Sequence, residues 1–193
     1  MEEKKEIRVS NTVAETEEPF LVARSRRGDK TAFGKLVRMH QKKVLRMVVG
    51  MTGGLDSAMD IVQESFIRAY QALDRFEEGQ PFYPWVSKIA SNLAINYIKK
   101  SSRETSLDNE TQQRADGALD PLAQLQIDET DRRFMAAVGE LPTPYRAVFI
   151  LRSFEELSYE EIATRLDISP GTVDSRLYRA RRILVDKLKE FLE

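Results

Sequence analysis

Residues 158–184, SYEEIATRLDISPGTVDSRLYRARRIL, carry the most specific pattern in the chain. A short helix is expected to end at Leu166, Asp167-Ile168-Ser169 to turn, and a longer helix to start at Pro170. That is helix-turn-helix spacing. Ser158-Tyr159-Glu160-Glu161 reads as a capping box, and Ser169-Pro170 as an N-cap followed by proline at the first helical position. Ala163 is small where two crossing helices must approach, and Ile162, Leu166, Ile168, Val173 and Leu177 supply an apolar seam. On a helical wheel Val173, Leu177, Ala180, Leu184 and Leu188 form the back of the longer helix. Gly171, Ser175, Tyr178, Arg179 and Arg182 form its front. A polar and basic front near a helix N-terminus suits the major groove, where arginine bridges guanine O6 and N7. Thr172 and Arg176 flank that front. The plainer reading is a helical hairpin with a solvated basic face, but turn length, caps, small residue and basic front all agree on DNA binding.

Two further stretches could do chemistry. Asp56, Asp60, Gln63 and Glu64 share one side of an expected helix near 56–76, opposite its apolar stripe. Such carboxylates repel one another mildly. They could ligate a metal, lie in solvent, or dock a basic protein; on residues alone the solvated face ranks slightly ahead of docking. From Gly79 to Arg103 the chain has no acidic residue. Lys88, Ser91, Asn92, Asn96 and Lys99 are expected on one outer face there, with Phe82, Tyr83 and Trp85 at the helix start beside a loop holding Gly79, Gln80 and Pro81. Amides, lysines and rings without acids suit melted or single-stranded nucleic acid. For Trp85 a core position is preferred. His40, the one histidine, falls on an apolar face and reads as a core or boundary residue rather than a ligand.

Cysteine is absent, which excludes disulfides, thiolate metal sites and thiol chemistry. A single histidine leaves nothing for a His-based triad or a His-rich metal centre, and Gly53-Gly54 lacks the spacing of a phosphate loop. No cofactor is expected. The charged start, Met1-Glu2-Glu3-Lys4-Lys5, leads into no apolar run, and no apolar stretch is long enough to span a membrane. A cytoplasmic protein with no membrane insertion is the expectation.

The elements that must position these residues follow from periodicity and charge. The chain of 193 residues has a net charge of −1, but residues 1–19 carry net −3, 20–103 net +8, 104–131 net −7 and 132–193 net +1. Helical spacing runs through Phe33, Leu36, Val37, His40, Val44, Met47 and Val48, then through Ala58, Val62, Ser65, Phe66, Ala69 and Leu73, then through Val86, Ile89, Ala90, Leu93 and Tyr97. Residues 131–140 make another helix, and Thr143-Pro144 starts the next with Thr143 as N-cap. No strand-length alternation occurs. The fold class is therefore all-α: a disordered arm at 1–19, a helical domain at 20–103, a flexible acidic linker at 104–131 with a short helix near Leu119–Ile127, and a helix-turn-helix domain at 132–193. A linker of about thirty residues sets no fixed spacing between the two domains.

DSAMDIVQESFIRAYQALDRF (56–76), PFYPWVSKIASNLAINYIKK (81–100) and LPTPYRAVFILRSFEELSYEEIATRLDISPGTVDSRLYRARRIL (141–184) resemble a bacterial RNA polymerase sigma factor. The likeness is to the extracytoplasmic-function, sigma-E-like group of the sigma-70 family, which keeps regions 2 and 4. It spans about 20–103 and 132–193. It implies a non-enzymatic subunit that recruits core RNA polymerase to promoter DNA in a stress or envelope response. It also implies contacts with the β′ clamp helices and the β flap, and an anti-sigma factor as a further partner. By the same likeness Asp60, Gln63 and Glu64, with Asp56, dock on the clamp helices. Gln80, Phe82, Lys88, Asn92, Asn96 and Lys99 fall where the minus-ten element is read, one base being flipped into the loop. Thr172, Ser175, Arg176, Tyr178, Arg179 and Arg182 fall where the minus-thirty-five element is read. Asp174 stands where relatives often carry Lys or Arg, and Glu77-Glu78 and Pro81 alter the base-flipping loop. The alternatives are a stand-alone helix-turn-helix regulator, which needs a dimer interface or sensor domain, and a metal-dependent hydrolase built on Asp56, Asp60 and Glu64, which needs a second ligand set.

Overall fold

The computed structural model describes residues 17–77, 79–105 and 129–189, and every regular element in them is helical. Helix α1 covers 17–26, α2 Lys30–Thr52, α3 Leu55–Gln71 and α4 Phe82–Thr105, with one 3-10 turn at Leu73–Arg75 before the last. The second half holds α5 Glu129–Gly139, α6 Thr143–Phe154, α7 Tyr159–Leu166 and α8 Pro170–Lys189.

The first three long helices pack into a bundle on the stripes that periodicity marks. Leu36, Val44, Met47 and Val48 of α2 and Ala58 and Ala69 of α3 are fully enclosed, as are Val86, Ala90 and Ala94 of α4. Helix α2 starts at Asp29, whose carboxylate accepts from the Thr31 and Ala32 N–H groups at 2.9 and 3.0 Å. It stops at Gly53, which takes the left-handed conformation (φ 80°) that glycine reaches without strain.

Four sequence expectations change here. Residues 17–19, expected in the disordered arm, open a helix that runs to 26, with Leu21 and Val22 buried. Tyr97 is exposed instead of facing inward, and Ser91 is buried instead of facing outward. Helix α6 begins one residue early: Pro142 is its N-cap with no side-chain cap bond, and Thr143 is already helical. Residues 1–16 and 106–128, including the short helix expected near Leu119–Ile127, lie outside the described residues.

The larger correction concerns the spacing of the two halves. Helix α2 packs against α5 and α6, so the halves share one continuous core. A Cβ placed on Gly50 would come within 2.6 Å of the end of the Ile150 side chain, so a larger residue here would force that side chain to shift. Polar side chains also cross the junction. Arg146 is buried and donates to the carbonyls of Met51 at 3.3 Å and Gly139 at 2.6 Å. Glu155 accepts from the Ser87 hydroxyl at 2.7 Å and from the Tyr83 hydroxyl at 3.4 Å. Arg165 donates to Ser91 at 3.0 Å. Only apolar periodicity along single helices is visible in the sequence; which of two bundles a helix flank packs against is not.

Candidate nucleic-acid interface

The helix-turn-helix forms as its caps require. The Ser158 hydroxyl accepts from the Glu161 N–H at 3.2 Å, and the Glu161 carboxylate accepts from the Ser158 N–H at 2.8 Å. That backbone bond holds the Glu161 carboxyl below its ordinary range. Asp167 ends α7 in the left-handed conformation (φ 58°), and the Ile168 N–H returns to the Ala163 carbonyl at 3.0 Å. Ser169 then accepts from the Thr172 N–H at 3.1 Å to open α8. Val173, Leu177, Ala180 and Leu184 bury the back of α8. Ser175, Tyr178, Arg179 and Arg182 are exposed on its front, while Thr172 and Arg176 are half-buried. The Thr172 hydroxyl shares a hydrogen bond with Ser169 at 2.8 Å, so it serves the cap. Asp174 is exposed just past the first turn of α8, beside this front.

The acid-free helix α4 presents Lys88, Asn92 and Asn96 at four-residue spacing, all exposed, with Lys99 half-buried three residues on. Gln80 is exposed in the preceding turn, next to Gly79 at φ 84°. Phe82 departs from its expected role. It is fully enclosed, with its ring packed on those of His40 at 5.5 Å, Trp85 at 5.7 Å and Phe76 at 5.9 Å. A ring so placed packs beneath the loop and has no exposed face in this structure. Trp85, half-buried in the same cluster, sits largely as preferred.

Sequence reasoning missed what fixes the start of α4. Glu18 of α1 accepts the Phe82 N–H at 2.8 Å and pairs with His40 at 2.6 Å. A carboxylate thus caps the positive end of α4 from 64 positions away in the chain. His40 is the boundary residue expected, with its partner now named. Only the position of Glu18, just before an apolar pair, could have hinted at this.

On α3, Asp56, Asp60 and Gln63 are exposed and have no side-chain hydrogen bond or ion pair among the described residues. Glu64 is half-buried and accepts from Arg68 at 2.7 Å. Among the described residues no group of three or more His, Asp or Glu side chains could hold a metal. Beside this face lies a groove of about 750 Å³ between α2 and α3, with Val37, Leu45, Phe66 and Tyr70 among its walls. Exposed Met59 and Ile67 stand at its edge, and Gln63 belongs to both groove and acidic face. The spacing 59, 63, 67 was readable as a stripe beside the buried one, but two isolated apolar residues are an ordinary feature of a surface.

Residues 36–104 match the family model for sigma-70 region 2, and residues 131–184 that for sigma-70 region 4. The chain belongs to the sigma-70 family. Within it, this sigma factor is 37% identical over 181 residues to the RNA polymerase sigma-H factor of Pseudomonas aeruginosa, covering 89% of the chain and 94% of the relative. It is 34% identical over 177 residues to the extracytoplasmic-function sigma factor SigW of Bacillus subtilis, covering 86% and 93%. It is 36% identical over 181 residues to the extracytoplasmic-function sigma-E factor of Escherichia coli, covering 89% and 94%. Among solved structures, CnrH in complex with the cytosolic domain of CnrY aligns with a TM-score of 0.52 at 26% identity, over 90% of this chain and 97% of that one. The sigma factor RpoE of Bartonella quintana, solved with the anti-sigma factor NepR, aligns with a TM-score of 0.54 at 24% identity, over 81% and 96%, which shows the shared fold. This is an extracytoplasmic-function sigma factor, a protein that directs transcription initiation; sigma factors are not enzymes. The stand-alone regulator is not favoured. No helix among the described residues is long and apolar enough to cross a membrane.

Proposed function

We propose that this sigma factor divides its work among three surfaces. The acidic face of α3, Asp56, Asp60, Gln63 and Glu64, receives the β′ clamp helices of core polymerase. The observation that supports this most directly is that Asp56 and Asp60 are exposed with no side-chain partner among the described residues, on a domain of net positive charge. Burying a carboxylate against a basic partner recovers Coulomb energy that the isolated helix lacks, and speeds encounter. Gln80 with Lys88, Asn92, Asn96 and Lys99 reads and holds the melted minus-ten element. The front of α8, Ser175, Tyr178, Arg179 and Arg182, with Arg176 at its margin, reads the minus-thirty-five element. The half carrying α8 also meets the β flap. The protein works in the cytoplasm, where polymerase and promoters are.

The packed arrangement of the halves is then a resting form. The two promoter elements are centred about 25 base pairs apart, on the order of 85 Å of duplex at about 3.4 Å per pair. A compact chain of this length has a radius of gyration of about 16 Å. Reading both elements at once therefore requires α6 and α7 to leave α2 and α4. An anti-sigma factor is proposed as a further partner, since the sigma factor RpoE, of the same fold, was solved with the anti-sigma factor NepR. Run-off transcription with purified core enzyme tests the reading: start sites that appear only when this chain is added support it, and their absence on every promoter of a library overturns it.

A further inference from the structure

Helix α8 carries four arginines, and they are not equivalent. Among the described residues, Arg176, Arg181 and Arg182 have no side-chain hydrogen bond or ion pair. Arg179 does: its Nη1 donates to the hydroxyl of Tyr145 at 3.2 Å. Tyr145 sits in the first turn of α6, half-buried and packed against the core, with its N–H bonded to the Pro142 carbonyl at 2.9 Å. The same α5–α6 corner ties α8 a second time, through the ion pair of Glu140 with Lys187. The platform beneath Arg179 is therefore attached to the core on one side and to α8 on the other.

We propose that Tyr145 is a positioning residue for promoter specificity, holding the Arg179 guanidinium ready for one base edge. The inference rests on the reading of Arg179 as a base contact. A guanidinium has five donors in a rigid plane. The phenol takes one hydrogen of Nη1 and leaves the Nε–Nη2 edge free. That edge presents two parallel N–H groups, the pair that a guanine O6 and N7 accept. A lone arginine on a helix surface loses its rotamer freedom on binding. One already held by a rigid phenol loses less, and its plane can turn only about the shared hydrogen bond. The neighbouring arginines, unheld, follow phosphates, where direction matters less.

The test is transcription by holoenzymes carrying the full-length chain, from a promoter library randomised over both elements. Arg179→Ala, Tyr145→Phe and the double variant are compared with wild type, with thermal melting of each. Tyr145→Phe keeps the ring and removes the hydroxyl. The expected result is a loss of about three- to tenfold in base discrimination at the position that Arg179→Ala also relaxes, with other positions unchanged. In the Arg179→Ala background Tyr145→Phe should add nothing to the profile. Tyr145→Gln, which restores an acceptor, should recover part of the discrimination. If Arg179→Ala relaxes a position and Tyr145→Phe leaves that position as selective as wild type, Tyr145 only packs and the inference is wrong. Sharpened discrimination in Tyr145→Phe means that the phenol holds the guanidinium away from DNA, which also overturns it. An upstream profile unchanged by Arg179→Ala removes the base-reading role itself, and this inference with it.

Discussion

Arg146 of α6 drives its guanidinium against the last turn of α2, donating from Nε to the Met51 carbonyl at 3.3 Å. Its Nη1 donates to Gly139, the last residue of α5, at 2.6 Å. One cation thus closes the C-terminal ends of two helices, one from each half, where orphan carbonyls and the negative end of the helix dipole favour positive charge. Burial alone pulls the Arg146 pKa below its usual value, so the charge is held at a cost that these carbonyls offset. Gly53 lies against the same group: a Cβ there would sit 2.7 Å from the guanidinium.

Replacing Arg146 by Leu should therefore loosen the junction rather than merely trim a surface. Two carbonyls lose their donor, and the expected cost is about 2–4 kcal/mol of unfolding free energy. Chemical denaturation measures it. A cost of about 0.5 kcal/mol or less, the level of a surface substitution, would show that water replaces the guanidinium freely.

The junction should also gate function. The chain has no cysteine, so Ser87→Cys with Glu155→Cys provides the only two thiols. Bridging them with a short bis-maleimide should abolish promoter-dependent transcription, while either single variant treated alike stays active. Full activity of the bridged protein would mean that both elements are read without separating the halves.

Glu155 gives the junction a pH dependence of known sign. Burial raises its carboxyl pKa above the ordinary 4.5, against the opposing pull of the Ser87 hydroxyl, the Arg165 charge, the Tyr83 hydroxyl and the Lys43 charge. Tyr83 is itself pushed up, by burial first and then by Glu155, and Lys43 lies over its ring at 3.6 Å. A carboxyl whose folded pKa is raised binds its proton more tightly when folded. Its contribution is full below the unfolded value and is lost as pH rises through the folded one. The difference in melting temperature between wild type and Glu155→Gln should therefore shift against wild type as pH rises above 4.5. A difference that does not change over that window contradicts the assignment.

Phe82 is fully enclosed, so it is expected to act through the core rather than as a base contact. Phe82→Ala should cost about 3–5 kcal/mol of stability. Asn92→Ala and Asn96→Ala should leave the melting temperature nearly unchanged and weaken transcription from promoters with altered minus-ten elements. A stable Phe82→Ala protein with a changed base preference would reverse this.

What was legible in the sequence is what local chemistry dictates. The Ser158 and Ser169 caps, the turn at Asp167 and the buried back of α8 depend on neighbours within a few positions, and each appears where spacing puts it. The stripe from Ala58 to Leu73 is buried for the same reason. Glu18 on the Phe82 N–H, Arg146 on Met51 and Glu155 on Ser87 span 64, 95 and 68 positions. No periodicity carries contacts of that range. The burial of Phe82 was not legible, because an aromatic ring beside a glycine loop has the same sequence signature whether it faces solvent or packs on His40. Thr143 misled by one position because Pro142 ends the preceding turn without needing a side-chain cap.

The division of labour stands or falls on the acidic face of α3, where Asp56 and Asp60 have no side-chain partner among the described residues. Asp60→Lys combined with Gln63→Ala alters only exposed positions, opposite the apolar stripe, so helicity and melting temperature should stay as in wild type. The decisive measurement is pull-down of core RNA polymerase by the folded double variant, read beside its circular dichroism. The account predicts a wild-type spectrum with polymerase capture lost; a wild-type spectrum with full capture would contradict it.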